Sequence, residues 1–155
     1  MSLGGANLHQ TVGIAGGRDM APFIPGTFGT VAPERITASD PATVVVTGGN
    51  REACASGGPW VAVGPGADLG RAPVKLGAPM RRSAFTGIRA LESRRVHAIW
   101  HQFYNDPYAF AAAQRLASRI HPELFADLDP EAALRSLHER FLPIPYRAAY
   151  RVSPE

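Results

Sequence analysis

The chain has 155 residues, with 16 Lys and Arg against 13 Asp and Glu and a formal net charge of +3. That length suits one domain, and the basic residues are mostly scattered rather than gathered in a stripe with stacking aromatics, which argues against a nucleic-acid binder. Hydrophobic residues make up 45% and charged residues 19%; no run of 18 apolar residues occurs, so no transmembrane helix is expected, and the single cysteine, Cys54, excludes an intrachain disulfide.

Residues 1–20 lack the basic and continuous apolar regions of a signal peptide. Residues 4–20 carry a weak helical pattern through Leu8, Val12 and Ala15, weakened by Gly13 and closed by Gly16-Gly17. Residues 21–30 read as a loop. Pro33 then suits a first helical turn, Glu34 suits its dipole, and Asp40-Pro41 stops the helix after Ser39. Thr43-Val44-Val45-Val46-Thr47 is a continuous β-branched run, the pattern of a strand buried on both faces. Trp60-Val61-Ala62-Val63 is a second expected strand, and Val96-His97-Ala98-Ile99 a third. Residues 64–80 hold Gly64, Pro65, Gly66, Gly70, Pro73, Gly77 and Pro79, which resist a helix. A helix weakened by Gly87 is expected from about Arg82 to Leu91.

The last third is clearer. Asp106 is expected to cap a helix with Pro107 at its first position and an apolar face of Ala109, Ala112, Ala113, Leu116 and Ile120. Asp129-Pro130-Glu131 repeats the start signal, and Leu134, Leu137 and Phe141 are expected to face inward. After Pro143 and Pro145 the tail reads as extended. Alternating strands and helices at this spacing predict an α/β fold, a three-layer, mostly parallel sheet flanked by helices.

In such a sheet, ligands bind beyond the carboxyl ends of the strands. Three loops meet that rule: Gly48-Gly49-Asn50-Arg51, Gly64-Pro65-Gly66, and Trp100-His101-Gln102-Phe103-Tyr104-Asn105. The aromatic density of the third loop points to something covering it. No histidine has further ligands at a metal-site spacing, so direct metal ligation is not expected. Cys54 with His101 as base is the one nucleophile arrangement to weigh, and its Ala-Cys-Ala-Ser surroundings offer no activation. Gly48-Gly49 lacks the spacing of a phosphate loop. These residues argue for binding rather than catalysis.

Residues 31–49, Val-Ala-Pro-Glu-Arg-Ile-Thr-Ala-Ser-Asp-Pro-Ala-Thr-Val-Val-Val-Thr-Gly-Gly, resemble a segment of periplasmic solute-binding proteins with a rigid interdomain helix, the class that serves ABC importers of iron–siderophores, haem and vitamin B12. Ala15-Gly16-Gly17-Arg18-Asp19 is similar to that class's A-G-G-x-N element, with Asp19 in place of the Asn. Residues 90–100 resemble a further segment of that class, and Asn105-Asp106-Pro107-Tyr108, residues 121–125 and Phe141-Leu142-Pro143-Ile144-Pro145 resemble its iron-complex branch. The order and spacing of these segments carry the resemblance, which runs from about residue 7 to 150.

The resemblance implies a C-terminal lobe over residues 7–155, with residues 1–6 a vector-derived or flexible start, and with the N-terminal lobe and linker helix absent. It implies a periplasmic or lipid-anchored extracellular protein, without intrinsic cofactor or enzymatic activity, that carries a ferric siderophore or haem. Trp100, His101, Phe103, Tyr104 and Arg51 would face the chelate, and Glu34 would dock on an arginine of the membrane permease. A sheet edge left unpaired by the absent residues would favour a homodimer. The competing readings are a small α/β hydrolase or nucleotide-binding enzyme, and a free-standing lobe that pairs with another chain.

Overall fold

The computed structural model describes residues 2–3, 6–20, 29–50, 61–105 and 107–153. In chain order the elements are β1 (Ser2–Leu3), α1 (Ala6–Ile14), β2 (Gly29–Thr30), α2 (Pro33–Ser39), β3 (Val44–Gly48), α3 (Ala72–Met80), α4 (Arg89–Glu92), β4 (Val96–Trp100), α5 (Ala109–Ile120), α6 (Pro130–Phe141) and β5 (Arg151–Val152). Short 3₁₀ turns lie at Leu69–Arg71, Ser83–Phe85 and His101–Asn105. The chain divides into two compact units. One comprises Met1–Leu3, Gly29–His101 and Ala149–Glu155; the other comprises Gly4–Phe28 and Gln102–Ala148.

The first unit is α/β, as its alternating pattern predicts. β3 and β4 run parallel, with Val44 opposite Val96 and Gly48 opposite Trp100. β5 adds antiparallel to β4, with Ile99 opposite Arg151. β1 and β2 form a separate antiparallel pair. Val96, His97, Ala98 and Ile99 are all buried, so β4 is the strand covered on both faces. In β3 the ends Val44 and Gly48 are buried and the middle is half-buried. The expectation of two-sided burial therefore belongs to β4, not to β3, because β3 has only one ladder partner among the described residues.

The helix at residues 33–39 forms with the bounds expected. Pro33 occupies the first position, where its missing N–H costs nothing, and Ile36, 1% exposed, anchors the helix against the turn at Ser83–Phe85. Asp40 ends it in the left-handed region at φ 38°, a conformation that Asp tolerates. Its carboxylate receives the Arg89 backbone N–H at 2.8 Å and Arg89 Nε at 2.6 Å, and Arg89 also donates to the Asp40 carbonyl. The Arg89 backbone N–H, reinforced by its guanidinium, holds the Asp40 carboxyl below its ordinary value of 3.8. A carboxyl lowered on folding contributes stability that is present above its unfolded value and lost as pH falls through the folded one. Urea midpoints should therefore fall more steeply below pH 3.8 in the natural chain than in Asp40→Asn. Parallel pH profiles would overturn that assignment.

Three expectations in this unit need correction. Of the strand expected at 60–63, Trp60 lies outside the described residues, and Val61, Ala62 and Val63 are buried but form no ladder among the described residues; the Gly49 N–H donates to the Val61 carbonyl at 3.1 Å, a single link rather than a strand pair. Residues 72–80 are helical despite their prolines. Pro73 falls in the first turn, where N–H groups have no intrahelical partner, and Ala72 and Leu76, 0% and 2% exposed, seat the helix in the core. The helix expected from Arg82 to Leu91 is broken into a 3₁₀ turn and the short α4, because Gly87 adopts φ +75° between them.

The second unit is built from α1, α5 and α6. Gly16, at φ +75°, closes the first turn after α1, and its carbonyl accepts from His121 Nε2 at 3.0 Å. Asp129 caps α6 by accepting the Glu131 N–H at 2.9 Å, as its sequence predicts. The start of α5 falls at Ala109 with Tyr108 at its cap, so Pro107 precedes the helix; Asp106 lies outside the described residues. Its buried face is Ala111, Ala112, Arg115, Leu116 and Ala117, rotated from the expected stripe by the burial of Arg115. Arg115 forms an ion pair with Glu131 of α6, the two side chains only 5% and 13% exposed. In α6 Leu134 is buried as expected, but Phe141, at the last helical position, is 67% exposed. His138 occupies the inward stripe in its stead: Nδ1 donates to the Ile144 carbonyl at 3.2 Å and the ring lies between Tyr108 and Tyr146.

Candidate functional site

Because β3 and β4 are parallel and in register, their carboxyl ends finish side by side at Gly48 and Trp100. Within the first unit this sets Gly48-Gly49-Asn50 beside Trp100-His101, with Gly64-Pro65-Gly66 next to both; Gln102–Asn105 belong to the other unit. Thr47 Oγ1 lies 3.0 Å from Nδ1 of His101. Asn50 Nδ2 donates to the Pro65 carbonyl at 3.1 Å, which ties the loop after β3 to Gly64-Pro65-Gly66. Gly64 has φ +110°, and a Cβ there would overlap Cδ1 and Nε1 of the Trp100 indole and lie 3.1 Å from its Cγ. The indole is therefore laid directly on the glycine backbone, an approach that only a residue without Cβ permits.

Two carbonyls of the segment before β5 complete the arrangement. Ala149 accepts from the Gly64 N–H at 2.6 Å and Tyr150 from the Trp100 N–H at 3.1 Å. The Tyr150 ring, itself buried, meets the indole edge-on with centroids 5.4 Å apart. Trp100 and His101 are half-buried, each held on one side and partly open on another.

The remaining sequence candidates fall elsewhere. Phe103 is 1% exposed and packs edge-on against Tyr108 at 6.5 Å, so its ring belongs to packing and not to an open surface. Tyr104 follows it in the same 3₁₀ turn. Arg51 and Cys54 lie outside the described residues. Glu34 is exposed in the first turn of α2. Sequence reasoning missed Thr47 and Tyr150 as supports of the site. A hydroxyl ending a valine run is a signal that points to Thr47; nothing local marks Tyr150, whose place depends on β5 pairing with β4. Among the described residues, no group of three or more His, Cys, Asp or Glu is placed to hold a metal ion, and no helix is long and apolar enough to cross a membrane.

No protein-family model matches this chain, and no curated protein matches it. Solved structures do, and they define the class of fold as that of periplasmic binding proteins. One is the TroA-like periplasmic binding protein FepB from Veillonella parvula, with TM-score 0.86 and 20% identity, covering 99% of this chain and 44% of that one. A periplasmic solute binding protein from the same organism follows at TM-score 0.67 and 13% identity, over 96% of this chain and 41% of its own. The molybdate periplasmic binding protein MolA of a Haemophilus influenzae ABC transporter, bound to molybdate, gives TM-score 0.65 and 18% identity, over 94% and 40%. The chain therefore shares their fold and spans less than half the length of each.

Proposed function

We propose that this chain is the C-terminal lobe of a solute-binding component of an ABC importer, periplasmic or lipid-anchored, and not an enzyme. The observation that carries this reading is that the ends of β3 and β4 and the Gly64-Pro65-Gly66 turn meet around a half-buried Trp100 and His101, where a ligand of this fold class would be expected. The ligand is an intact metal chelate, a ferric siderophore or haem. Such a chelate already carries its metal ligands, so the protein needs an aromatic ledge and a few polar groups rather than a coordination shell. Trp100 supplies the ledge and His101 the polar edge, with Tyr104 and Arg51 as further contacts. A second lobe closes over the chelate from the other side. Exposed Glu34, at a helix start, registers the lobe on a cationic site of the permease.

Tryptophan emission tests the reading. Titration of the chain with haemin and with ferric siderophores should give saturable quenching that Trp100→Phe removes, leaving the signal of Trp60 unchanged. Response to molybdate alone would redirect the reading to a small oxyanion, as in MolA. Silence toward every ligand would overturn it.

A further inference from the structure

We infer that the end of α6 and the loop that returns onto it form a surface for contact with an anionic lipid bilayer. Phe141 and Ile144 are 67% and 56% exposed, and both lie in the segment Phe141-Leu142-Pro143-Ile144-Pro145, which the candidate site does not use. The loop is folded back on the helix. The Leu142 N–H donates to the His138 carbonyl at 3.1 Å, His138 Nδ1 donates to the Ile144 carbonyl at 3.2 Å, and the Tyr146 ring meets the His138 ring edge-on at 5.5 Å. Pro143 and Pro145 fix the backbone on both sides of Ile144. An apolar side chain presented on such a loop is ordered before anything touches it, so little conformational freedom is lost on contact.

The charge around these side chains selects what covers them. Arg135, Arg140 and Arg147 are exposed; the Arg140 guanidinium lies 5.1 Å over the Phe141 ring and that of Arg135 lies 5.6 Å over the Tyr146 ring. Between residues 132 and 148 these three arginines face one acidic side chain, Glu139. At the start of α6 the sign reverses: Glu123, Asp127 and Asp129 are exposed, with no Lys or Arg between residues 120 and 134. The 12-residue helix sets the two ends about 18 Å apart. A unit with one basic and one acidic end turns its basic end toward a negatively charged surface. The guanidinium groups then meet lipid phosphates through paired hydrogen bonds, while Phe141 and Ile144 enter the boundary between headgroups and acyl chains. Apolar exposure without basic neighbours is not enough, and Leu124, 76% exposed among the carboxylates, takes no part. The surface lies in the unit that does not carry Trp100 and His101, so the contact holds whichever ligand the site takes.

The test is partition of the whole chain onto vesicles at low salt, read by flotation. Vesicles of phosphatidylglycerol mixed with phosphatidylcholine should bind the chain, phosphatidylcholine alone should not, and added sodium chloride should release it. Arg140→Gln with Arg147→Gln should weaken partition about thirtyfold, since each charge near the surface contributes about fivefold. Phe141→Ser should weaken it about tenfold, and Leu124→Ser should leave it unchanged. All of these side chains are exposed, so the variants should keep the natural urea midpoint. No binding to the mixed vesicles at low salt, binding that the arginine variant retains in full, or an equal loss with Leu124→Ser overturns the inference. Salt-sensitive self-association in sedimentation velocity, abolished by the arginine variant, would assign the surface to a second copy and overturn it too. The chelate titrations contain no lipid, so either reading can fail while the other stands.

Discussion

Gly48→Ala should cost about 3 kcal/mol or more in urea unfolding, a large share of the stability of a domain of this size. A Cβ at Gly48 would overlap the Val61 carbonyl oxygen and lie 2.9 Å from Val63 Cγ2. The first neighbour is backbone, so no side-chain rotation relieves the clash. The segment 61–63 is itself buried and leads directly into Gly64. Pushing it outward must shift the surface on which the Trp100 indole rests. The substitution should therefore lower the unfolding midpoint and shift tryptophan emission together. Gly13→Ala is the internal control. It lies within α1 with nothing inside 4 Å of the added methyl, and should raise stability by about 0.5–1 kcal/mol through helix propensity. Equal small effects at both positions would mean that the approach of β3 to residues 61–63 is looser than described.

Arg115→Ala should be more damaging than the loss of an exposed ion pair, by about 3–5 kcal/mol. Its guanidinium and the Glu131 carboxylate are both largely removed from water. Truncating one partner leaves the other charge desolvated and uncompensated, whereas a surface pair would cost about 0–1 kcal/mol. The double variant Arg115→Met, Glu131→Leu should recover most of the loss, because an apolar pair of similar volume avoids the desolvation penalty altogether. With the single variants Arg115→Met and Glu131→Leu completing a double-mutant cycle, chemical denaturation of its four chains measures this directly. A single-variant cost below about 1 kcal/mol would place the pair in water.

These two sites bear on function in different ways. Gly48 lies beside the loops that gather around Trp100 and His101, so damage there should reach both stability and ligand binding. Arg115 joins α5 to α6 within the other unit, and its effect should be read in stability.

What could be read from the residues alone is where chemistry is local. Pro33 and Asp40 bound α2 because a first-turn proline and a left-handed cap act within a few residues. Asp129 and Pro130 start α6 for the same reason. The runs at 43–47 and 96–99 became β3 and β4, and the rule of strand carboxyl ends selected the loops after them, which do come together. Tertiary packing decided the rest. Ala72 and Leu76 in the core hold a helix that Pro73, Gly77 and Pro79 oppose locally. Arg115 turns inward because a carboxylate on another helix, 16 residues away, receives it. Phe103 is buried and Phe141 exposed, an order that no hydropathy pattern predicts, since both are equally apolar. Tyr150 supports the site only because β5 lies beside β4, some 50 residues apart in sequence. Periodicity and caps report energies felt within one turn, while such pairings are set by which surfaces the folded chain brings together.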